Sequence, residues 1–253
     1  RGHRHLTPFP DFVRLECGSG PQIGPNRYPS RTKSERVGRV TTVGLLLAAG
    51  AGRRMGGPKA LLRLTPTGPT LIESAVERLW QAGCDRVVTV LGAGASQASD
   101  AVAHLRVDVV TAPDWGEGMG ASLRAGLAAL SAAAPQEVAA DIALVTLVDL
   151  PDVTAEVMAR VLAAAQPQGA AALVRAAYGG VPGHPGAIGR DHWDAVRATA
   201  RGDRGARDHL RTTAHDLVEC GDLATGGDVD TVADLTGRPN NGSERSSSDR
   251  TQQ

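Results

Sequence analysis

Between residues 39 and 236 the chain alternates short apolar runs with stretches whose apolar residues recur every three or four positions. Residues 39–47, with Val43, Leu45, Leu46 and Leu47, read as a buried strand, and 70–82 places Leu71, Ile72, Ala75, Val76 and Leu79 on one helical face. Residues 86–91 and 106–110 predict a second and a third strand around a helix at 95–104. A Leu- and Ala-rich helix at 117–133, a fourth strand at 141–147 and a helix at 154–165, capped by Thr154 or Asp152, come next. A strand at 170–175, an irregular glycine-proline region and helices at 191–200 and 203–212 complete the pattern. Repeated strand–helix–strand order predicts an α/β, right-handed, doubly wound sheet whose ligand lies beyond the carboxyl ends of the strands.

Outside this region the pattern fails. Residues 1–38 carry several Pro and Gly and an excess of basic residues, and are expected to be a disordered or non-native extension. Residues 237–253 are polar and expected to be a disordered tail, which leaves 39–236 as a single domain. With aromatics at only 3%, its core must be built from Ala, Val and Leu, as suits a sheet covered by helices. The 27 basic residues balance 27 acidic ones, so charge gives no argument for nucleic-acid or membrane binding. No apolar run is long enough to span a membrane, and no signal-peptide pattern is present. Cys17, Cys84 and Cys220 are widely spaced and odd in number, which favours a reduced, cytoplasmic protein without a disulfide framework or zinc knuckle.

Candidate chemistry begins where the first strand runs into Gly50-Ala-Gly-Arg-Arg-Met-Gly-Gly-Pro-Lys59. Gly50, Gly52, Gly56 and Gly57 let backbone N–H groups approach an anion, and Arg53, Arg54 and Lys59 add charge, so the loop suits a polyphosphate. Only Lys33 and Lys59 are lysine, so a chain that otherwise uses Arg has put a compact ammonium here. The dinucleotide fingerprint does not fit: Met55 stands at its third glycine, and the second strand ends in Gly92 where a ribose-binding acid is needed. The phosphate-loop pattern fails too, because Pro58 precedes Lys59 and Ala60 replaces the metal-binding Ser or Thr.

The fourth strand delivers Asp149 at its carboxyl end. Beside a polyphosphate loop, that carboxylate suits Mg²⁺, which takes one or two carboxylates plus phosphate oxygens; the alternative is a cap for the helix near Thr154. Asp228 and Asp230 would share one face of an extended segment, where capping suits one and metal binding is open to the other. Gly116, Gly118 and Gly120 precede a helix whose first turn holds Ser122, an arrangement of donors suited to a nucleobase or ribose edge. Gly183, His184 and Pro185 lie in a loop suited to an acceptor, with His184 equally suited to a structural hydrogen bond. Asp203 reads as a helix cap, with Arg207 facing the cleft or solvent.

In chain order, Leu47-Ala-Ala-Gly-x-Gly-x-Arg54-Met-Gly-x-x-Lys59, Trp115-x-x-Gly-Met-Gly-x-Ser-Leu123, Val148-Asp-x-Pro151, Gly183-His-Pro185, Gly202-Asp-x-Gly-Ala-Arg207 and Asp228-x-Asp-Thr231 resemble the molybdenum-cofactor nucleotidyltransferases over about 42–235, most closely the cytidylyltransferase branch. The resemblance implies a Rossmann-like, mixed sheet of the nucleotide-diphosphate-sugar transferase type. It implies that Leu47, Ala48, Ala49, the glycine loop, Gly118, Gly120 and Ser122 bind a nucleoside triphosphate, with CTP favoured by Ala48-Ala49-Gly50. Lys59 and Arg54 would neutralise the triphosphate, Asp149 and Asp230 would hold Mg²⁺, and Gly183, His184, Pro185 and Arg207 would face a molybdopterin acceptor. A molybdoenzyme or its chaperone would be the partner. Family members often have Asn at Ala112, Gln at Leu150, and Pro-Glu-Asp at 232–234; the Leu150 change is expected to touch the nucleotide or acceptor side of the site. Competing readings are transfer to a sugar phosphate or an isoprenoid precursor, a nucleotide-binding regulator without turnover, and a nicotinamide-dependent oxidoreductase. Some proteins resembling this family carry nicotine-blue reductase labels, a reading against which Gly92 counts.

Overall fold

The computed structural model describes residues 39–132 and 139–228. Its elements are β1 (Thr42–Ala48), α1 (Leu71–Gln81), β2 (Arg86–Leu91), α2 (Ala95–Val102), β3 (Asp108–Thr111), α3 (Met119–Ser131), β4 (Ile142–Leu147), α4 (Ala155–Ala165), β5 (Leu173–Tyr178), β6 (Val181–Gly189), α5 (Trp193–Thr199), α6 (Arg207–Thr212) and β7 (Asp216–Glu219). They form one sheet in the order β3-β2-β1-β4-β6-β5-β7. β3, β2, β1 and β4 run parallel, β6 is antiparallel to both β4 and β5, and β7 is parallel to β5. The chain works outward from β1 to β3, then crosses back to place β4 on the other side of β1. That reversal opens a crevice above the carboxyl ends of β1 and β4.

β1 is buried at every position because both of its faces are covered. Leu46 and Ala48 pack under α1, α2 and α4, while Val43, Leu45 and Leu47 pack under α3 and α5. Two glycines set how closely these layers approach. A Cβ on Gly44 would lie 2.9 Å from Leu79 of α1, and one on Gly126 of α3 would lie 2.7 Å from Leu45 and 3.0 Å from Val90. α1 starts from a capping box: the Thr70 hydroxyl accepts from the Glu73 N–H at 3.3 Å, while the Glu73 carboxylate accepts from the Thr70 N–H at 2.7 Å.

The mixed α/β sheet agrees with the sequence reading, and its differences have local causes. Residues 181–189 are a strand, not an irregular region. Pro182, Gly183 and Pro185 obscure the period of two, but the register shift between Arg175 and Ala177 accommodates them as a bulge does. The strand expected at 170–175 begins at Leu173 because residues 166–171 form a 3₁₀ turn with Gly169 at φ +57°. β7 is too short to show a period and is held at the sheet edge by β5. Thr154 caps α4, accepting from the Val157 N–H at 3.4 Å, whereas Asp152 accepts from the Thr225 N–H at 3.0 Å. Asp203 caps nothing: it sits inside a 3₁₀ turn at Gly202–Arg204, and α6 begins without a side-chain cap. The expected extension at 1–38, the tail at 237–253 and the end of the domain at 236 lie outside the described residues.

The close seat of α3 on the sheet leaves no room for a branched side chain at Gly126. Gly126→Val should destabilise the fold by about 1–3 kcal/mol, the size of an overpacked core position. Urea denaturation checks this; an unchanged midpoint would show that the helix can lift away freely.

Candidate functional site

Strand register decides what meets at the crevice. Leu47 of β1 pairs with Leu147 of β4, and the Val148 N–H donates to the Leu47 carbonyl at 3.2 Å. Two residues further on, the chain from β1 enters the glycine loop and the chain from β4 presents Asp149. In the loop, Gly52 is left-handed (φ +56°, ψ 40°), and a Cβ there would fall 2.0 Å from the Gly57 carbonyl oxygen, so no other residue fits. The Met55 N–H closes the turn on the Gly52 carbonyl at 2.8 Å, and its side chain is buried, which explains methionine where a dinucleotide loop would need glycine. Lys59 then turns back across the crevice, and its Nζ donates to Asp149 Oδ2 at 2.8 Å with both side chains largely buried.

The turn carrying Asp149 is braced from below. Arg78 of α1 donates to the Pro151 carbonyl at 3.4 Å, and burial lowers its pKa to about 10 against the opposing pull of Asp152. Leu150 is buried in the core with α1 and α4, not at the cleft, so its departure from the family pattern does not bear on a bound ligand as expected. Ala112 is likewise buried.

Above these residues lies an open cleft of about 390 Å³. One wall is Leu47, Ala49, Gly50, Gly52, Arg53 and Lys59; the floor carries Asp149; the opposite wall is Trp115, Gly118, Met119, Ser122 and Asp203. Gly118 (φ +112°) brings the start of α3 against Gly202 and Asp203, since a Cβ there would lie 2.5 Å from the Asp203 carboxylate. The Trp115 side chain packs over Gly92, where a Cβ would come within 2.5 Å of it, so the glycine just after β2 makes room for the indole. The sequence reading had placed Asp203 in a cap and given Trp115 no role of its own; only the loop spacing around each hinted at the cleft. Of the expected nucleotide contacts, Ala48 is buried beneath the loop, and Gly120 packs so close to Arg201 that a Cβ there would lie 2.7 Å from its backbone nitrogen. Arg54 and Gly56 are exposed and form no part of the cleft wall.

A second, smaller cavity of about 70 Å³ shares Leu47 and Met119 with the cleft and is lined by His184, Arg175 and Arg207 among others. His184 precedes Pro185 across a cis peptide, and its carbonyl accepts from the Tyr178 hydroxyl at 2.6 Å. Gly183 lies against the Tyr178 ring, where a Cβ would come within 2.8 Å, and Pro185 is buried, so both shape the strand around His184. Burial, and then the charge of Arg175, lower the His184 pKa to about 4, against the weaker pulls of a backbone hydrogen bond to Val145 and of Asp149; its Nδ1 is buried without a hydrogen-bond partner.

No cluster of three or more His, Cys, Asp or Glu side chains that could hold a metal occurs among the described residues. Asp149 fits a cation that takes most of its ligands from a phosphate substrate and water, not one held wholly by protein. Asp230 lies outside the described residues. Cys84 and Cys220 are buried free thiols, and no helix among the described residues is long and apolar enough to cross a membrane.

A doubly wound sheet with a glycine loop and a lysine–aspartate pair at its switch point defines a nucleotide-handling α/β protein. Residues 44–218 match the MobA-like NTP transferase domain, and the chain belongs to that family. By family and fold it is an enzyme of the nucleotidyltransferase kind. It is 41% identical over 203 residues to a nicotine blue oxidoreductase of Paenarthrobacter nicotinovorans, covering 76% of this chain and 93% of that one. Among solved structures it resembles Rv0371c from Mycobacterium tuberculosis H37Rv, with a TM-score of 0.62 and 27% identity, covering 78% of this chain and 97% of that chain. Rv0371c has also been solved in complex with manganese (TM-score 0.55, 26% identity, 72% of this chain and 88% of that chain). A nucleotidyl transferase from Methanothermobacter thermautotroptrophicus shares the fold, with a TM-score of 0.63 at 23% identity, covering 78% and 94% of the two chains.

The environment of His184 sets a pH dependence. Its folded pKa of about 4 lies below the ordinary histidine value of about 6.5, so the unfolded chain takes up a proton first as pH falls. Its contribution to stability is complete above about pH 6.5 and is lost as pH falls towards 4. His184→Asn should flatten this part of the stability–pH curve. An imidazole pKa at or above 6.5 in an NMR titration would contradict the assignment.

Proposed function

We propose that this protein transfers a nucleoside monophosphate from a nucleoside triphosphate to a phosphorylated acceptor and releases pyrophosphate. The observation that carries this reading is the Lys59–Asp149 pair, 2.8 Å apart between the glycine loop and the cleft floor. Each group neutralises the other, and the pair can exchange partners when a triphosphate brings both negative charge and a cation. Lys59 and Arg53, with the backbone N–H groups of the loop from Gly50 to Gly52, then hold the triphosphate, and Arg54, as the family resemblance implies, would reach it from outside the cleft wall. Asp149, and Asp230 as the family resemblance implies, would hold Mg²⁺, which neutralises phosphate charge during transfer. The manganese complex of Rv0371c supports a divalent cation in this family. The cleft volume is within the range of nucleotide-sized pockets, and Trp115 offers a flat wall for a base.

In the reaction, an oxygen of the acceptor phosphate forms a bond to the α-phosphorus while the bond from that phosphorus to the bridging oxygen breaks. The electron pair leaves with pyrophosphate. Lys59 and the loop stabilise charge that grows on the transferring and leaving phosphates, so positioning and electrostatics carry the catalysis. CTP and molybdopterin are the pair proposed here, on the strength of Ala48-Ala49-Gly50 and the Gly183-His184-Pro185 segment.

The relative from Paenarthrobacter nicotinovorans favours a second reading, an oxidoreductase using a nicotinamide cofactor. Against it stands the end of β2, where Gly92 carries the Trp115 side chain and no acid is present to hold a ribose.

Pyrophosphate release with Mg²⁺ and CTP, GTP, ATP or UTP, each with and without molybdenum cofactor, tests the proposal. Release is expected with CTP plus cofactor and should be abolished in Asp149→Ala. Lys59→Ala should slow turnover by about two to three powers of ten, as for loss of one preorganised transition-state contact. A change below about threefold would remove Lys59 from its role. NADPH oxidation with no pyrophosphate release for any nucleotide would favour the second reading.

A further inference from the structure

We propose that the small cavity beside the cleft is a second anion site, built around Arg175 and Arg207 to take a phosphate-type oxyanion of the acceptor. That the ligand belongs to the acceptor rests on the nucleotidyl-transfer reading; the anion chemistry does not.

Arg175 lies within β5, where its side chain is half-buried, and among the described residues it has neither a carboxylate partner nor a hydrogen-bond acceptor. Burial, and after it the positive charge of Arg207, hold its guanidinium below the ordinary arginine range. The fold thus sets two like charges together, and among the described residues neither has a carboxylate partner. Arg204 also lines the cavity; its carboxylate partner is Asp208 at 3.4 Å, which Arg211 approaches as well. Among the described residues, no Asp or Glu lines the cavity. His184 lines the cavity as an uncharged ring: it is hydrogen-bonded to the Val145 backbone, and its buried Nδ1 has no partner.

A half-buried guanidinium held beside a second positive charge without a carboxylate partner costs stability, so Arg175 beside Arg207 points to a ligand that compensates them. Planar guanidinium groups match the oxygens of a phosphate in pairs, which a point charge cannot do. A volume of about 70 Å³ has room for a small anionic group with a few waters and none for a nucleotide. Because Leu47 and Met119 form part of both the cavity and the cleft, an anion held here lies next to whatever the cleft holds. The cavity therefore sets acceptor specificity: it selects molecules that carry an oxyanion.

Calorimetric titration of the whole protein with inorganic phosphate, at constant ionic strength, tests this. Arg175→Gln and Arg207→Gln should each weaken phosphate binding by about tenfold or more, as expected for loss of a charge-assisted contact. Lys59→Ala should change it less than twofold, and acetate should bind at least tenfold more weakly than phosphate. Arg175→Gln should melt no lower than the wild type, because it removes an unpaired charge. Should that variant fail to fold, Arg207→Gln, an exposed position, carries the test alone. Wild-type phosphate affinity in the arginine variants, or loss in Lys59→Ala only, would assign phosphate to the glycine loop and overturn the proposal. Equal affinity for acetate would overturn the phosphate class. Absence of nucleoside triphosphate binding, with Arg175-dependent phosphate binding intact, would remove the nucleotidyl-transfer reading and leave the anion site standing.

Discussion

The parallel pairing of β1 with β4 is the constraint on which the site depends. Once Leu47 is opposite Leu147, the glycine loop and Asp149 must leave the sheet side by side. A shift of one residue would turn Leu47 and its neighbours to the wrong face and carry Asp149 away from Lys59. The register is held by burial on both faces of β1 and by the close approach that Gly44 allows to α1 and Gly126 of α3 allows to the sheet. The geometry of the candidate site is thus an outcome of core packing. The loop takes left-handed backbone at Gly52 and Gly56, and the buried Met55 between them ties it down.

The opposite wall is assembled from segments far apart in sequence. Gly118 and Gly120 bring the start of α3 into backbone contact with residues 201–203, and the same region leads through Gly205 and Ala206 into Arg207. One contact between α3 and this connection therefore borders the cleft and the smaller cavity together. Met119 lies at that junction and lines both. Change at the α3 start would be felt on both sides.

Much of this was legible in the sequence because local chemistry and global fold agree. Val43 to Leu47 and the helical spacing of 70–82 announce elements that tertiary packing then uses as they stand. Lys59 and Asp149 could be picked out because a rare lysine and a strand-end carboxylate are visible one residue at a time. β6 was hidden by Pro182, Gly183 and Pro185, whose backbone preferences mask a strand that only neighbours on both sides can hold. Arg175 was invisible for a related reason. It reads as one more strand residue until β5, β6 and α6 bring it to His184 and Arg207. Asp203 shows the reverse error, a capping pattern overridden when Gly118 required its backbone nearby.

The tether between Asp152 and Thr225 has a practical meaning for anyone handling the protein. The described chain enters the fold just before Thr42, at the amino end of β1 and so on the side of the sheet away from the crevice. At its other end it passes Asp152, three positions along from Asp149, before reaching residue 228. The two ends are therefore unequal places for attachment. A handle placed at the amino side of β1 starts on the side of the sheet remote from the crevice, whereas one placed at residue 228 starts near the aspartate turn.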